Sequence, residues 1–358
     1  MVDDAKSREQ LGFVCVAVFV VFASLRDVYF AATFQAYSPL HVAAIAFTLC
    51  TLVFLSAALV RRQGLRDLRP WPWEVVGINV TSAIAWIAYF YALKHLEPSL
   101  VQVLWAGIGP LSVGWLEAGG IVLARPVLVG PTERLFHRGI LVSLILASLV
   151  VTAGVSGTPA QSGGRPILGA LLALLSGISI SINVLLCKRL NERRVGPVTI
   201  LAVRFVGVVI VAALIAVVIG DVTIGGWSIG ELGVVAAAAL LLIVAPIFVN
   251  QVGISLAPPL TVRVVMALGP VLVFLLQLRE GRLRASGYSL AVIVLYAVFA
   301  ILATVARQWP HGVSLRHVHF WRRAKPLRTG SQELQSGDRE AWSRATPDQR
   351  RLERPPCP

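Results

Sequence analysis

His95 to Pro110 reads HLEPSLVQVLWAGIGP, and Ser255 to Pro270 reads SLAPPLTVRVVMALGP. Each stretch places a proline early (Pro98, Pro258), a leucine two residues on, and a Gly-Pro pair inside an apolar run. Proline in a helix removes a backbone donor and bends the helix, here freeing the carbonyls of Ala106 and Met266. Gly109, Pro110, Gly269 and Pro270 are therefore candidate hinges. A second pair of stretches, SPLHVAAIAF (Ser38–Phe47) and GPVTILAVRF (Gly196–Phe205), is offset by 158 residues, against 160 for Pro110 and Pro270. Two matches at nearly one offset predict a duplicated unit.

The residues around these stretches predict a membrane protein. Of 358 residues, 56% are hydrophobic and 14% charged, far from soluble usage. The apolar residues come in blocks near the length of about 20 needed to cross a bilayer as a helix. Ten spans are expected, near Leu11 to Ala32, Pro39 to Val60, Val75 to Leu93, Pro98 to Ala124, Gly139 to Ser156, Ile167 to Cys187, Pro197 to Gly220, Leu232 to Ser255, Pro259 to Leu278 and Tyr288 to Ala306. The expected fold class is all-α and polytopic, with two inverted five-helix repeats at 11–156 and 165–306. They lie between a cytoplasmic N-terminus at 1–10 and a basic, largely disordered cytoplasmic tail at 307–358.

The net charge of +14 follows membrane topology rather than nucleic-acid binding. With the N-terminus inside, 13 basic residues fall in inner segments and five in outer ones before the tail is counted, so both termini should be cytoplasmic. Arg279, Arg282 and Arg284, after the ninth span, go against that pattern. In the tail, Trp309, Phe320 and Trp321 beside Arg322, Arg323 and Lys325 suit contact with anionic lipids. Twenty-eight arginines against four lysines fit a high-GC bacterial source and hence a cell (inner) membrane.

An odd number of spans per unit forces the second unit upside down relative to the first. Inverted repeats are a common plan of secondary transporters, whose site lies near the midplane where the halves meet. Ionisable residues inside spans carry weight, because each costs about 2.5–3.5 kcal/mol on insertion scales. Arg26 is a candidate for binding a substrate carboxylate or phosphate through its planar fork. Asp27 is a candidate for proton coupling, because desolvation favours the neutral form of a carboxyl group. As neighbours a quarter-turn apart, the two are expected to find separate partners. Arg204 and Arg263 can either contact a ligand or snorkel to the interface. Asn79, Tyr89, Gln102, Trp105, Asn250 and Gln251, with Trp86, Tyr91 and Asn183, form a plausible polar and aromatic lining, although interhelical hydrogen bonding is the simpler role for each amide alone. In the repeat frame Gln102 and Arg263 fall one position apart, and Phe90 aligns with Asn250.

No HExxH, Walker loop, GxSxG or paired-carboxylate motif occurs, so enzymatic activity is not expected. His317-x-His319 is too sparse for a metal site, and the cysteines show no ligand spacing. No cofactor is expected. The expected partners are a small-molecule substrate, the bilayer and its anionic lipids, with a homodimer left open.

Tyr91-Ala92-Leu93 leading through Pro98 to Gly109-Pro110, its counterpart from Gln251 to Pro270, and Arg204-Phe205 resemble the drug/metabolite transporter superfamily, in its EamA-type ten-span branch. The resemblance covers Leu11 to Ala306. It implies a carrier, commonly an exporter of amino acids, other metabolites or drugs, with the third, fourth, eighth and ninth spans around the cavity. Gly109-Pro110-Leu111 also resembles the threonine/homoserine-exporter branch, which implies amino acids as cargo. The chain departs from the family at Ala23-Ser24-Leu25-Arg26 and Ser176-Gly177-Ile178-Ser179, where a tryptophan is usual, and at Glu117 and Glu280, which lie close to the preceding proline. The expected function is alternating-access export of small organic solutes, coupled to proton exchange. The alternative is a non-transporting receptor or assembly subunit that uses its tail for partners.

Overall fold

Among the described residues, seven helices begin on a proline: Pro39, Pro72, Pro98, Pro131, Pro166, Pro197 and Pro259. The first helical position has no intrahelical acceptor for its N–H, so proline loses nothing there and its fixed φ starts the turn. The computed structural model describes residues 2–36, 38–60, 65–118, 130–153, 165–220, 228–280 and 287–308. Among these the helices are α1 (Val2–Ala36), α2 (Pro39–Val60), α3 (Pro72–His95), α4 (Pro98–Ala118), α5 (Pro131–Thr152), α6 (Pro166–Glu192), α7 (Pro197–Arg204), α8 (Val206–Val218), α9 (Ile229–Ala239), α10 (Ala245–Leu256), α11 (Pro259–Met266), α12 (Gly269–Arg279) and α13 (Gly287–Gln308). No strand occurs among the described residues. The tail from residue 309, and the loop arginines at 61, 62, 125, 282 and 284, fall outside them.

Among the described residues, nine helical segments are long and apolar enough to cross a membrane. Three are composite: α7 with α8, α9 with α10, and α11 with α12. The apolar part of α13, Gly287–Ala303, is shorter. The outer surface is apolar, with Val60, Trp73, Val218 and Ile229 all more than 80% exposed (84%, 81%, 84% and 90%), whereas Arg26, Asp27, Gln102, Asn183, Arg204, Gln251 and Arg263 are buried. That is a multi-pass membrane protein, with a lipid-compatible exterior and polar groups turned inward.

Helix α1 packs on α10 and on α11–α12, while α6 packs on α3 and α4. Helix α2 packs on α7–α8, α5 on α13, and α4 on α11–α12. Polar side chains tie several of these seams. Asn183 on α6 donates to the Ile78 carbonyl (2.9 Å), Thr81 Oγ1 (2.8 Å) and Ser82 Oγ (2.9 Å) on α3, and Ser176 donates to the Ala85 carbonyl at 2.6 Å. Near the other end of that seam Arg189 pairs with Glu74 at 3.3 Å.

The breaks in the composite spans have different origins. Between α9 and α10 a π-turn, Leu240–Val244, precedes Pro246, and the Ala245 N–H bonds back to the Leu240 carbonyl. A wide turn accommodates a proline that cannot donate within a regular helix. Span seven breaks at Phe205, and the Gly207 N–H bonds instead to Asn79 Oδ1 on α3 at 2.8 Å. Span nine breaks at Ala267–Leu268, ahead of Pro270. Pro110, by contrast, sits inside an uninterrupted α4. Of the two candidate hinges, the second thus coincides with a break in the helix, whereas residues 101–113 around Pro110 are buried and remain helical.

Candidate functional site

The composite spans deliver side chains to a cavity at the centre of the bundle. It is lined by Phe19 and Arg26 from α1, Ala85, Trp86 and Tyr89 from α3, Trp105 from α4, Ser176 and Ile180 from α6, Arg204 from α7, Ile247 and Asn250 from α10, and Met266 from α11. Its volume is about 20 Å3, room for about one water.

One wall is a polar cluster. Arg26 donates through Nε (2.8 Å) and Nη2 (2.7 Å) to Asp27 Oδ1. The other carboxylate oxygen, Oδ2, accepts from Tyr89 Oη at 2.5 Å and from Gln102 Nε2, and Gln102 Nε2 also reaches Tyr89 Oη at 2.8 Å. The Arg26 guanidinium lies 5.2 Å from the Trp86 ring and 5.4 Å from the Tyr89 ring. Arg26 and Asp27 thus pair with each other, against the expectation of separate partners. Both are buried, at 2% and 0% exposure, and in so dry a place the long arginine folds back across the quarter-turn rather than leave either charge unpaired.

The cavity lining also includes Arg204, 2% exposed. It donates through Nε to Ser82 Oγ (3.2 Å) and through Nη1 to Gln251 Oε1 (3.0 Å). Arg263, also fully buried, reaches Met266 Sδ (3.1 Å) and the Trp105 carbonyl (3.3 Å), and lies 5.2 Å from the Trp105 ring, one layer behind the cavity. Neither arginine snorkels, because the packed helices around each leave its head no route to the surface. Among the described residues neither forms an ion pair.

Of the residues expected at the site, the structure brings Arg26, Tyr89, Trp105 and Asn250 to the cavity wall and Asp27, Gln102, Gln251 and Arg263 directly behind it. Asn79 does not belong there. Its Nδ2 donates to the Val75 carbonyl within α3 (2.9 Å) and its Oδ1 accepts from Gly207, so one end of the amide is used inside its own helix and the other in joining α3 to α8. Arg204, read as either a ligand contact or an interface anchor, and Trp86, named with the expected lining, line the cavity as well, whereas Tyr91 and Asn183 are not among its lining residues. Phe19, Ala85, Ile180, Ile247 and Met266 are apolar, and nothing in the sequence distinguishes them from core.

The hinge glycines have reciprocal neighbours. A side chain at position 109 would overlap the Arg263 guanidinium, and a Cβ at 269 would lie 3.1 Å from Gln102 Oε1. Each Gly-Pro glycine thus makes space for a polar side chain carried by the other of the two similar stretches. Beside Pro270, the Ala267 carbonyl in the break accepts from Tyr296 Oη on α13 at 2.7 Å.

No family model and no curated protein matches this chain. A solved structure described as "Crystal structure of protein" is similar to it at 22% identity and a TM-score of 0.56, over 84% of this chain and 99% of that one. The likeness is one of fold.

Proposed function

We propose that the protein is a secondary active transporter that exports small organic solutes, such as amino acids or related metabolites, by alternating access. It would work in the cell membrane with both termini cytoplasmic. Its ten spans would comprise two inverted EamA-like repeats, 11–156 and 165–306, with α13 as the tenth. The observation that carries this reading is the central cavity, walled by α1, α3, α4, α6, α7, α10 and α11; in the proposed repeat, α6, α10 and α11 would be the counterparts of α1, α3 and α4.

The packing supports it too. Exchanging the first five spans for the second five turns the α1–α10 seam into the α6–α3 seam, turns α1 on α11–α12 into α6 on α4, and maps α2 on α7–α8 onto itself. Burying several arginines and a carboxylate is expensive in a membrane protein and is the mark of a ligand path. A cavity of about 20 Å3 is far below the roughly 300–1,000 Å3 of ordinary ligand pockets, so the conformation is read as a closed intermediate, which the two halves must leave to admit cargo.

The deciding assay is counterflow in proteoliposomes holding the purified protein, loaded with unlabelled amino and organic acids and offered the labelled forms. Saturable accumulation is expected. A flat trace across a broad metabolite panel would sink the carrier reading and return attention to a receptor or assembly role.

A further inference from the structure

The cavity walls carry more positive than negative charge. Arg26 and Arg204 line the space and Arg263 stands behind Trp105, while Asp27 is the carboxylate that meets this set. Arg204 has neutral partners on Nε and Nη1, and Nη2 makes no bond among the described residues. Trp86 is 93% buried (7% exposed) and lines the cavity with its indole Nε1–H unpartnered. Buried donors beside a guanidinium with no carboxylate suit oxygen atoms that carry negative charge. Asn250, also lining the cavity, has an unpartnered Oδ1, suited to a hydroxyl or ammonium elsewhere on the same molecule.

Arg26 is the complication. Nε and Nη2, the edge that would hold a carboxylate side-on, are both taken by Asp27. A cargo anion that used this edge would bring a second negative charge against the Asp27 carboxylate, deep in the bundle. A proton on Asp27 removes that conflict: the neutral acid remains bonded with Tyr89 and Gln102, and the guanidinium edge is freed. The groups facing Asp27 are Arg26 from its own helix, Tyr89 from α3 and Gln102 from α4. Helix α10 and the π-turn, which also pack on α1, hold no ionisable residue. Helix α12 has one, Arg279, at its end, and α11 has Arg263, turned toward Gly109 and the Trp105 carbonyl.

We infer that the cargo is an organic anion held between Arg204 and Arg26, and that it binds together with a proton carried on Asp27. This rests on the carrier reading and revises its coupling. Cargo and proton travel the same way, so export runs down an outward cargo gradient and takes a proton with it, rather than exchanging one.

The test is calorimetry on the purified full chain with acetate, succinate, L-glutamate and inorganic phosphate, against L-lysine and choline, in two buffers of different ionisation enthalpy. At least one anion should bind with uptake of about one proton, and more tightly at an acid than at a neutral pH, by up to about tenfold per unit of pH. Asp27→Asn should bind the same anion with no proton uptake and a flat pH profile. Arg204→Gln, shown to be folded by its helical circular dichroism, should lose about tenfold or more in affinity. Preference for L-lysine or choline, anion binding that releases protons or ignores pH, or no anion binding at either pH would overturn the inference. Counterflow separates the two layers: flux of a neutral or cationic solute sinks the anion site and leaves the carrier, whereas proton-linked anion binding without flux of any probe does the reverse.

Discussion

The guanidinium of Arg263 occupies the space where a side chain on Gly109 would stand, so the fourth and ninth spans interlock at the Gly-Pro pair of one and the arginine of the other. Gly269 repeats the relationship more loosely, with Gln102 Oε1 3.1 Å from its Cβ position. Gly109→Ala should therefore cost about 1–3 kcal/mol of stability, the usual range for overpacking. Gly269→Ala should cost clearly less, because a small rotation of Gln102 relieves it. Thermal unfolding of the two variants in one detergent checks the order; equal losses would mean that Arg263 is not fixed against Gly109.

Asn79 supplies the acceptor for an N–H at the start of α8, in the manner of a helix cap contributed from another helix. Asn79→Ala should lower stability by about 1 kcal/mol, a typical cap loss, while leaving the cargo's apparent affinity unchanged. A rise in the counterflow half-saturation concentration with no change in melting temperature would return Asn79 to the binding site.

The two prolines are not equivalent. Pro270 follows a real break whose Ala267 carbonyl is held by Tyr296, whereas α4 runs through Pro110. Pro270→Ala lets the span straighten and should slow flux several-fold, and Tyr296→Phe should do likewise. Pro110→Ala should have a smaller effect. Initial rates of counterflow make the comparison.

Glu97 sits between α3 and α4, outside the spans, and burial pushes its carboxyl above the usual range. A group whose folded-state pKa is raised contributes stability that is present at low pH and is lost as pH rises through the folded value. Ionising Glu97 should thus weaken the fold as pH climbs through and just above the ordinary carboxylate range. Glu97→Gln should flatten the melting-temperature profile there and melt higher near neutral pH. An unaltered profile would mean that the carboxylate finds solvent in the folded state.

Helix starts were the most legible feature of the chain, because a proline at the first helical position leaves a mark that tertiary packing does not erase. Pro39, Pro98, Pro197 and Pro259 open helices at the positions read from sequence. The span centres were legible for the same reason that bilayers are selective: the apolar blocks have no alternative place. Pairing was harder. Arg26 and Asp27 looked like poor partners by helical geometry, and burial overrode it. Asn79 looked like a lining residue because an amide in a span reads the same whether it meets a ligand or a backbone N–H. The π-turn had an unused signal in Pro246, while the break at Phe205 has no local signal, since its acceptor comes from Asn79, 128 positions away.

A central space with room for about one water has a consequence for the membrane as well as for the cargo. A single molecule cannot by itself form the hydrogen-bonded file along which protons hop, and Phe19, Ile180, Ile247 and Met266 interrupt the polar groups around it. On the carrier reading, this closed conformation would pass no protons through the cavity. Many copies would then rest in a membrane without short-circuiting its proton gradient, and conductance would be confined to the moments when the bundle opens.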